Sequence, residues 1–231
     1  MSFFPVLLSP ICILCAARTQ RFFNICAPCE RDLPILSQSC FKCAQPIFSA
    51  NNEALICGFC LKNPPPFDAT FALFSYEKPI VGVIKKLKFH GELSHAKALG
   101  ELFLQRILDD WYREKPLPEL IIPIPLHPKR LRERGFNQAL EIARPIAKKL
   151  QIPIDLWETK RIKHTLAQSS LEADLRHENM KNAFEIRGNF RGKHVAVIDD
   201  VITTGSTISE FCRTLQAHGL VKIDVWCVAR R

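Results

Sequence analysis

The sequence predicts an α/β fold, a mostly parallel sheet flanked by helices over residues 67–231, preceded by a small cysteine-rich module over residues 1–66. Three observations predict it. An apolar run, Val195 to Ile198, suits a fully buried strand and stops at two adjacent carboxylates, Asp199 and Asp200. Strand-like and helix-like patterns alternate after residue 67, which favours a parallel sheet with helices on both faces. Eight of the ten cysteines lie before residue 61, all in Cys-x-x-Cys pairs.

Composition sets the outer bounds. The chain has 231 residues, room for one α/β domain and a small second unit. Hydrophobic content of 47% and charged content of 24% are ordinary for a soluble globular protein. A formal charge of +9 suits a polyanionic partner, nucleic acid or phosphorylated metabolite, and equally a basic protein with neither. Met1 to Ala17 is apolar, but Pro5 and Pro10 interrupt it and the first charge is Arg18, unlike a secretory signal with its positive start. No stretch approaches the roughly 20 apolar residues of a membrane span, so the expectation is a cytoplasmic protein without direct membrane insertion.

The cysteine pairs are Cys12/Cys15, Cys26/Cys29, Cys40/Cys43 and Cys57/Cys60, with ten residues between the first two pairs and thirteen between the last two. Each Cys-x-x-Cys turn presents two thiolates to one tetrahedral ion, so two ribbon-like Cys₄ zinc sites explain the pattern best. Consecutive couples are the simpler pairing; interleaved pairing remains open. Disulfides need an oxidising compartment, redox Cys-x-x-Cys normally occurs once, and iron–sulfur ligation uses the same thiolates. A segment of about 60 residues has little apolar core of its own, so bound metal would stabilise it. Closed four-thiolate sites are structural, and no chemistry is assigned to the zinc. The prolines of Lys62-Asn63-Pro64-Pro65-Pro66 then mark a stiff linker.

Beyond the linker, Phe67 to Tyr76 reads as a strand and Pro79 to Phe89 as a helix with Ile80, Val83, Ile84 and Leu87 inward. Its other face carries Lys78, Lys85, Lys86 and Lys88, a solvated basic face or part of a surface for a polyanion. His95 to Trp111 is a longer helix with Leu99, Leu102, Phe103 and Ile107 inward. Leu120 to Leu126 is a buried strand whose prolines suit an edge or terminal position. A loop from His127 to Gln138 follows, with Lys129, Arg130, Arg132 and Arg134 in one short span. Guanidinium forks suit di- and polyphosphate, and Arg132 and Arg134 are the leading candidates to face one. The helix from Asn137 to Leu150 contains Pro145, which predicts a kink or break. Ile152 to Trp157 is a candidate strand, residues 158–184 are polar with a helical pattern over Leu171 to Ala183, and Val221 to Val228 is the last strand. Cys212 and Cys227 fall on apolar faces as core residues.

The richest stretch is Val195 to Gly219. After Asp199 and Asp200 come Thr203, Thr204, Gly205, Ser206 and Thr207, then a helix with Ile208, Phe211, Cys212 and Leu215 on one face and Gly219 at its end. A strand, a small-residue loop and a helix N-terminus form an anion site from free amides and the helix dipole. Gly205 lets the backbone approach a phosphate, and the hydroxyls can donate to its oxygens. Paired carboxylates repel phosphate but accept hydrogen bonds from neutral hydroxyls such as those of a ribose. A solvated acidic turn followed by a capped helix is the competing structural reading.

This stretch resembles the phosphoribosyl-pyrophosphate (PRPP) motif of type I phosphoribosyltransferases. The resemblance implies that Asp199 and Asp200, the catalytic-site acids, hold the ribose hydroxyls, and that Thr203 to Thr207 wrap the 5′-phosphate. It places Lys129, Arg130, Arg132 and Arg134 near the pyrophosphate and a closing loop at residues 160–170. The wider set is similar to the ComF family, most of all to its eight-cysteine, GntX-like branch. That set is the four cysteine pairs, Pro125-Leu-His-Pro128 with Arg134-Gly-Phe-Asn-Gln138, Arg176-x-x-Asn179-x-x-x-Ala183-Phe184, and Asp199 to Thr207. This resemblance spans essentially the whole chain. It implies a link to competence and use of external DNA, with Mg²⁺ accompanying PRPP and single-stranded DNA and DNA-uptake proteins as partners. No hood for an acceptor base is readable, and the cysteine module is a candidate for that position. Two functions follow from it. One is phosphoribosyl transfer to an acceptor with release of pyrophosphate. The other is a non-catalytic, PRPP- or nucleotide-responsive handling of single strands, with Phe89 near Lys85 to Lys88 and Phe136 beside Arg134 as stacking platforms.

Overall fold

The computed structural model describes residues 10–21, 23–47, 55–164 and 180–231. Its centre is a four-stranded sheet of β1 (Ala69–Ser75), β2 (Leu120–Pro123), β5 (His194–Ile202) and β6 (Lys222–Arg230). The spatial order is β1-β6-β5-β2 and every neighbouring pair is parallel. A separate antiparallel ribbon pairs β3 (Thr159–Arg161) with β4 (Phe184–Ile186).

Period-two alternation of buried apolar residues dictates the layers. Ala196, Ile198, Trp226 and Val228 face one side, where α3 (Ile80–His90), α4 (Leu93–Arg106) and α6 (Gln138–Leu150) bring Leu87, Leu99, Phe103 and Ile142. Val195, Val197, Val225 and Cys227 face the other, covered by Ile208, Phe211, Cys212 and Leu215 of α7 (Ser206–Gln216) and by Phe184 and Ile186 of the ribbon. Helices therefore flank both faces, and both C-terminal cysteines are core residues. The proline-ended β2 lies at one edge. Among the described residues, no helix is long and apolar enough to cross a membrane.

Four elements differ from the sequence reading. The basic loop contains a helix, α5 (Pro128–Arg134): His127 Nδ1 accepts from the Lys129 amide, Pro128 occupies the first turn, and Gly135 closes it at φ +82°. Helix α6 runs unbroken through Pro145, whose ring fills the space left by Gly100 of α4. The Ile152–Trp157 segment makes one bridge, Ile154 to Ile121, rather than a strand. The helix expected to Trp111 gives way at Ile107 to a π-helical turn, Ile107–Trp111. Just beyond that turn, the Tyr112 hydroxyl donates to buried Asp224 Oδ2 at 2.7 Å, which His194 Nε2 also meets at 2.7 Å. Burial opposes that charge, yet these two hydrogen bonds hold the Asp224 carboxyl below the usual range. The expected closing loop at 160–170 and the helical pattern over 171–183 fall largely, and Arg176 and Asn179 entirely, outside the described residues.

The cysteine segment lies against β1. The Leu36 amide donates to the Leu73 carbonyl at 3.0 Å, Ser75 donates to Pro34 at 2.9 Å, and Ile35 bridges Phe74. Two short helices, α1 (Ala27–Arg31) and α2 (Gly58–Lys62), each carry one cysteine pair at or near the N-terminus. Cys12, Ile25 and Leu33 join the core on the α4 side of the sheet, and Leu36 and Ala44 join the other.

Candidate active site and metal centres

The eight cysteines form two groups, Cys12/Cys15/Cys26/Cys29 and Cys40/Cys43/Cys57/Cys60, with the sulfurs of each group within 4.8 Å of one another. This settles the pairing as consecutive. None of the ten cysteines is in a disulfide. A tetrahedral zinc with Zn–S about 2.3 Å holds its sulfurs roughly 3.8 Å apart. Cys15 and Cys26 Sγ lie 3.6 Å apart, and Cys43 and Cys57 Sγ 3.8 Å, far beyond the roughly 2.05 Å of a disulfide. The amide of Cys57 points at Cys40 Sγ at 3.3 Å and that of Cys60 at Cys57 Sγ at 3.4 Å, donors that favour thiolate. Both groups fit structural zinc.

At the carboxyl ends of β5 and β2 lies a cavity of about 590 Å³. The end of β5 supplies Asp199 and Asp200. Asp199 Oδ1 accepts the Asp200 amide at 2.8 Å, and Asp200 Oδ1 accepts the Val201 amide at 3.0 Å. Desolvation first, and the neighbouring Asp200 charge second, push the Asp199 carboxyl up to about 7, against the pull of Lys88. Lys88, at the end of α3, sits 2.7 Å from Asp200 Oδ2.

The loop after β5 closes the same cavity. Gly205, the N-cap of α7, has φ +80°, a left-handed conformation that a side chain would strain. Thr203, Gly205, Ser206 and Thr207 line the cavity; exposed Thr204 does not, but its Oγ1 meets Ser206 Oγ at 2.9 Å. The first amides of α7 and its dipole thus face a space that suits an anion.

Opposite stand the cations. Arg130 and Arg134 of α5 line the cavity, whereas Lys129 and Arg132 lie outside its lining, one helical face away. Arg161 of β3 enters from the ribbon, its guanidinium 5.7 Å from the Phe184 ring centroid. Burial lowers the pKa of Arg134 and Arg161, and Asp199 pulls both back up. Among the described residues, four fixed cations, Lys88, Arg130, Arg134 and Arg161, therefore share the cavity with three carboxylates, Glu133, Asp199 and Asp200. His127 and His164 complete this wall, rings 5.1 Å apart. Desolvation and the charge of His164 hold the His127 pKa down. Asn137 caps α6 through Oδ1, 3.0 Å from the Ala139 amide, and its Nδ2 donates to the Ile124 carbonyl at 2.9 Å, tying α6 to the strand end.

Sequence reasoning placed Lys88 only on a basic face and Arg161 and His164 only within the expected closing loop at 160–170, and it gave His127 and Asn137 no role at the site. The Asn137 cap was legible as an N-cap residue before an apolar helix. That Arg161 is the residue of this segment to turn inward had no local signal, because only the β3–β4 pairing directs it there.

Two family models match, a double zinc ribbon domain over residues 3–61 and a phosphoribosyl transferase domain over residues 137–231. The chain is 35% identical over 211 residues to the DNA utilization protein YhgH of Salmonella typhi, covering 90% of this chain and 91% of that protein. The chain belongs to the ComF/YhgH family. Within it, Competence protein F of Haemophilus influenzae is 34% identical over 224 residues, covering 95% of this chain and 96% of its own. Competence protein ComFC of Bacillus subtilis is 24% identical over 148 residues, 64% of this chain and 58% of its own. Membership of the ComF/YhgH family thus joins the two cysteine clusters to an α/β fold of the phosphoribosyltransferase kind in one chain.

Proposed function

We propose that the cavity binds Mg²⁺-PRPP and that this ComF/YhgH protein transfers a phosphoribosyl group to an acceptor, releasing pyrophosphate, in the service of competence or the use of external DNA. One observation carries the reading: a single cavity unites adjacent carboxylates, an anion-binding helix N-terminus and cations from three further elements. In this reading Asp199 and Asp200 accept hydrogen bonds from the ribose hydroxyls, and residues 203–207 hold the 5′-phosphate. Arg130, Arg134 and Arg161 face the pyrophosphate, for which their forked donors are suited.

The chemistry then follows from placement. The bond from C1′ to the pyrophosphate oxygen breaks and its electron pair leaves with pyrophosphate. The acceptor's lone pair forms the new bond to C1′, and its proton passes to solvent. Mg²⁺ would neutralise charge on the pyrophosphate oxygens. The chain contributes orientation and fixed positive charge where negative charge develops on the leaving group. Lys88 pairs with Asp200, so ribose binding there would exchange an ion pair for hydroxyl hydrogen bonds.

Calorimetry with Mg²⁺-PRPP tests the reading, comparing wild type with the Asp199→Asn/Asp200→Asn pair. Binding in the first and none in the second is expected; no binding by folded, zinc-loaded wild type refutes it. A second reading, PRPP-responsive handling of single-stranded DNA without catalysis, draws on Phe89, exposed at 69% on the cavity rim beside Lys88. Steeply salt-dependent DNA binding without pyrophosphate release would favour it. The proposed division of the chain remains a cysteine module over 1–66 and a phosphoribosyltransferase-like domain over 67–231, in a cytoplasmic protein.

A further inference from the structure

We propose that the second cysteine cluster holds the anion loop in shape, with Arg230 as the positioning residue that connects them. The proposal rests on the reading of residues 203–207 as an anion-binding loop.

The Cys40–Cys43 turn presents three successive carbonyls to the sheet, and each accepts a hydrogen bond there. Phe41 accepts from the Thr70 amide at 3.0 Å, Lys42 from Thr70 Oγ1 at 2.6 Å, and Cys43 from Arg230 Nε at 2.8 Å. Thr70 and Arg230 are both buried. The same guanidinium reaches the other way: Nη1 donates to the Ile202 carbonyl at 3.1 Å and to the Thr203 carbonyl. Thr203 is where the strand becomes the loop. One rigid planar group thus spans a metal-ligand residue and the first peptides of the anion site.

The partners explain why this link is stiff. Among the described residues no Asp or Glu side chain pairs with Arg230, and its buried charge is held by the main-chain oxygens of Cys43, Ile202, Thr203 and Arg231. Such a group keeps its place only while those carbonyls keep theirs. The metal fixes the Cys40–Cys43 turn, because two of its four ligands are that turn's ends. Without metal the turn is free to relax, the Cys43 carbonyl leaves Nε, and the guanidinium follows water or another acceptor. The Thr203 carbonyl then loses the guanidinium donor, the Ile202 carbonyl is left with the Arg231 amide alone, and the start of the loop loses its side-chain tie to the cysteine turn. Coupling of this kind is reciprocal: an anion that orders the loop must retain the metal by the same factor.

The test uses full-length, zinc-loaded protein. Amide hydrogen exchange of residues 203–207 and of α6 is measured in wild type, Arg230→Met, Arg230→Lys and Cys57→Ser, alongside Mg²⁺-PRPP affinity. Cys57→Ser removes a ligand of the second cluster without touching a residue that meets Arg230. At least tenfold faster exchange at 203–207 in Arg230→Met and in Cys57→Ser, with α6 unchanged, is expected, and PRPP affinity falls at least tenfold. Saturating PRPP slows zinc loss to a chromogenic chelator by a matching factor in wild type but not in Arg230→Met. Loop exchange equal to wild type in folded Arg230→Met, or in Cys57→Ser, overturns the proposal. Should Arg230→Met not fold, Arg230→Lys and Cys57→Ser decide on the same readout. Loop exchange that responds while wild type binds no PRPP upholds the coupling and removes the PRPP reading instead.

Discussion

Replacing Gly100 with alanine is a sharp test of how α4 and α6 meet. A Cβ at Gly100 would lie 2.3 Å from Pro145 Cγ and 2.6 Å from the Ile142 carbonyl oxygen. Neither neighbour is the loose end of a flexible side chain, so one helix must move. Overpacking of this kind costs typically about 1–3 kcal/mol, and a contact with a ring and main chain belongs at the upper end. Alanine returns about 1 kcal/mol of helix propensity. The net loss is therefore about 2 kcal/mol. For a chain of this size, each kcal/mol moves Tm by roughly 2–4 °C, so Gly100→Ala should melt roughly 4–8 °C lower. Gly82 of α3 is the control: nothing lies within 4 Å of its hypothetical Cβ. Gly82→Ala should gain about 0.5–1 kcal/mol and raise Tm by a few degrees. Calorimetric melts of the zinc-loaded proteins measure both. A Tm for Gly100→Ala at or above wild type would refute the packing argument. Because Asn137 and Gln138 at the start of α6 line the cavity, Gly100→Ala should weaken PRPP binding as well.

Further outcomes follow from the site. An ionised carboxylate is a stronger hydrogen-bond acceptor for ribose hydroxyls than a neutral carboxyl, and the Asp199 carboxyl is pushed up to about 7. PRPP affinity should therefore rise from pH 6 to pH 8, and Asp199→Asn should flatten that part of the profile; a slope identical in both proteins would sink the assignment. In the fold itself the sign is opposite, because a raised carboxyl pKa makes stability fall as pH climbs from about 4 through 7. Asp199→Asn should therefore melt higher than wild type at pH 8, by more than at pH 5. Arg130→Ala should weaken pyrophosphate binding about tenfold and Arg132→Ala should leave it within twofold, since only Arg130 lines the cavity; equal losses would show that the helix face is misassigned. Cys40→Ser should lower bound zinc from two ions per chain to one by atomic absorption, and unaltered stoichiometry would refute the four-thiolate site.

The parts of the molecule that were legible in the sequence are those whose signals are local. Val195 to Thr207 carries its strand, its turn residue and its helix start within a few positions, and the cysteine spacing favoured two four-thiolate metal sites while leaving their pairing open. Helix faces such as Ile80/Val83/Ile84/Leu87 follow from periodicity alone. What escaped depends on distant contacts. Lys88 looks like one of several lysines on a solvated face until α3 is packed and its last turn reaches Asp200. Pro145 should disturb α6, but Gly100 on another helix makes room for its ring. The helix at Pro128–Arg134 is a different case: its proline start and glycine stop were present, and a dense run of basic residues masked them.

The contact between residues 34–36 and β1 has a consequence for the life of the protein in a cell. β1 is the outer strand of its sheet, and Ala69-Thr-Phe-Ala-Leu-Phe-Ser75 contains neither charge nor proline. A bare strand of that composition is a template for pairing with other chains and for aggregation. Here Pro34, Ile35 and Leu36 occupy that edge, and Phe41 takes the Thr70 amide. The cysteine module leaves the ribosome first, so the cap is made before the edge it covers. A chain cut at residue 66 should be insoluble rather than merely less active, and zinc starvation should deplete the protein by precipitation before it impairs any chemistry.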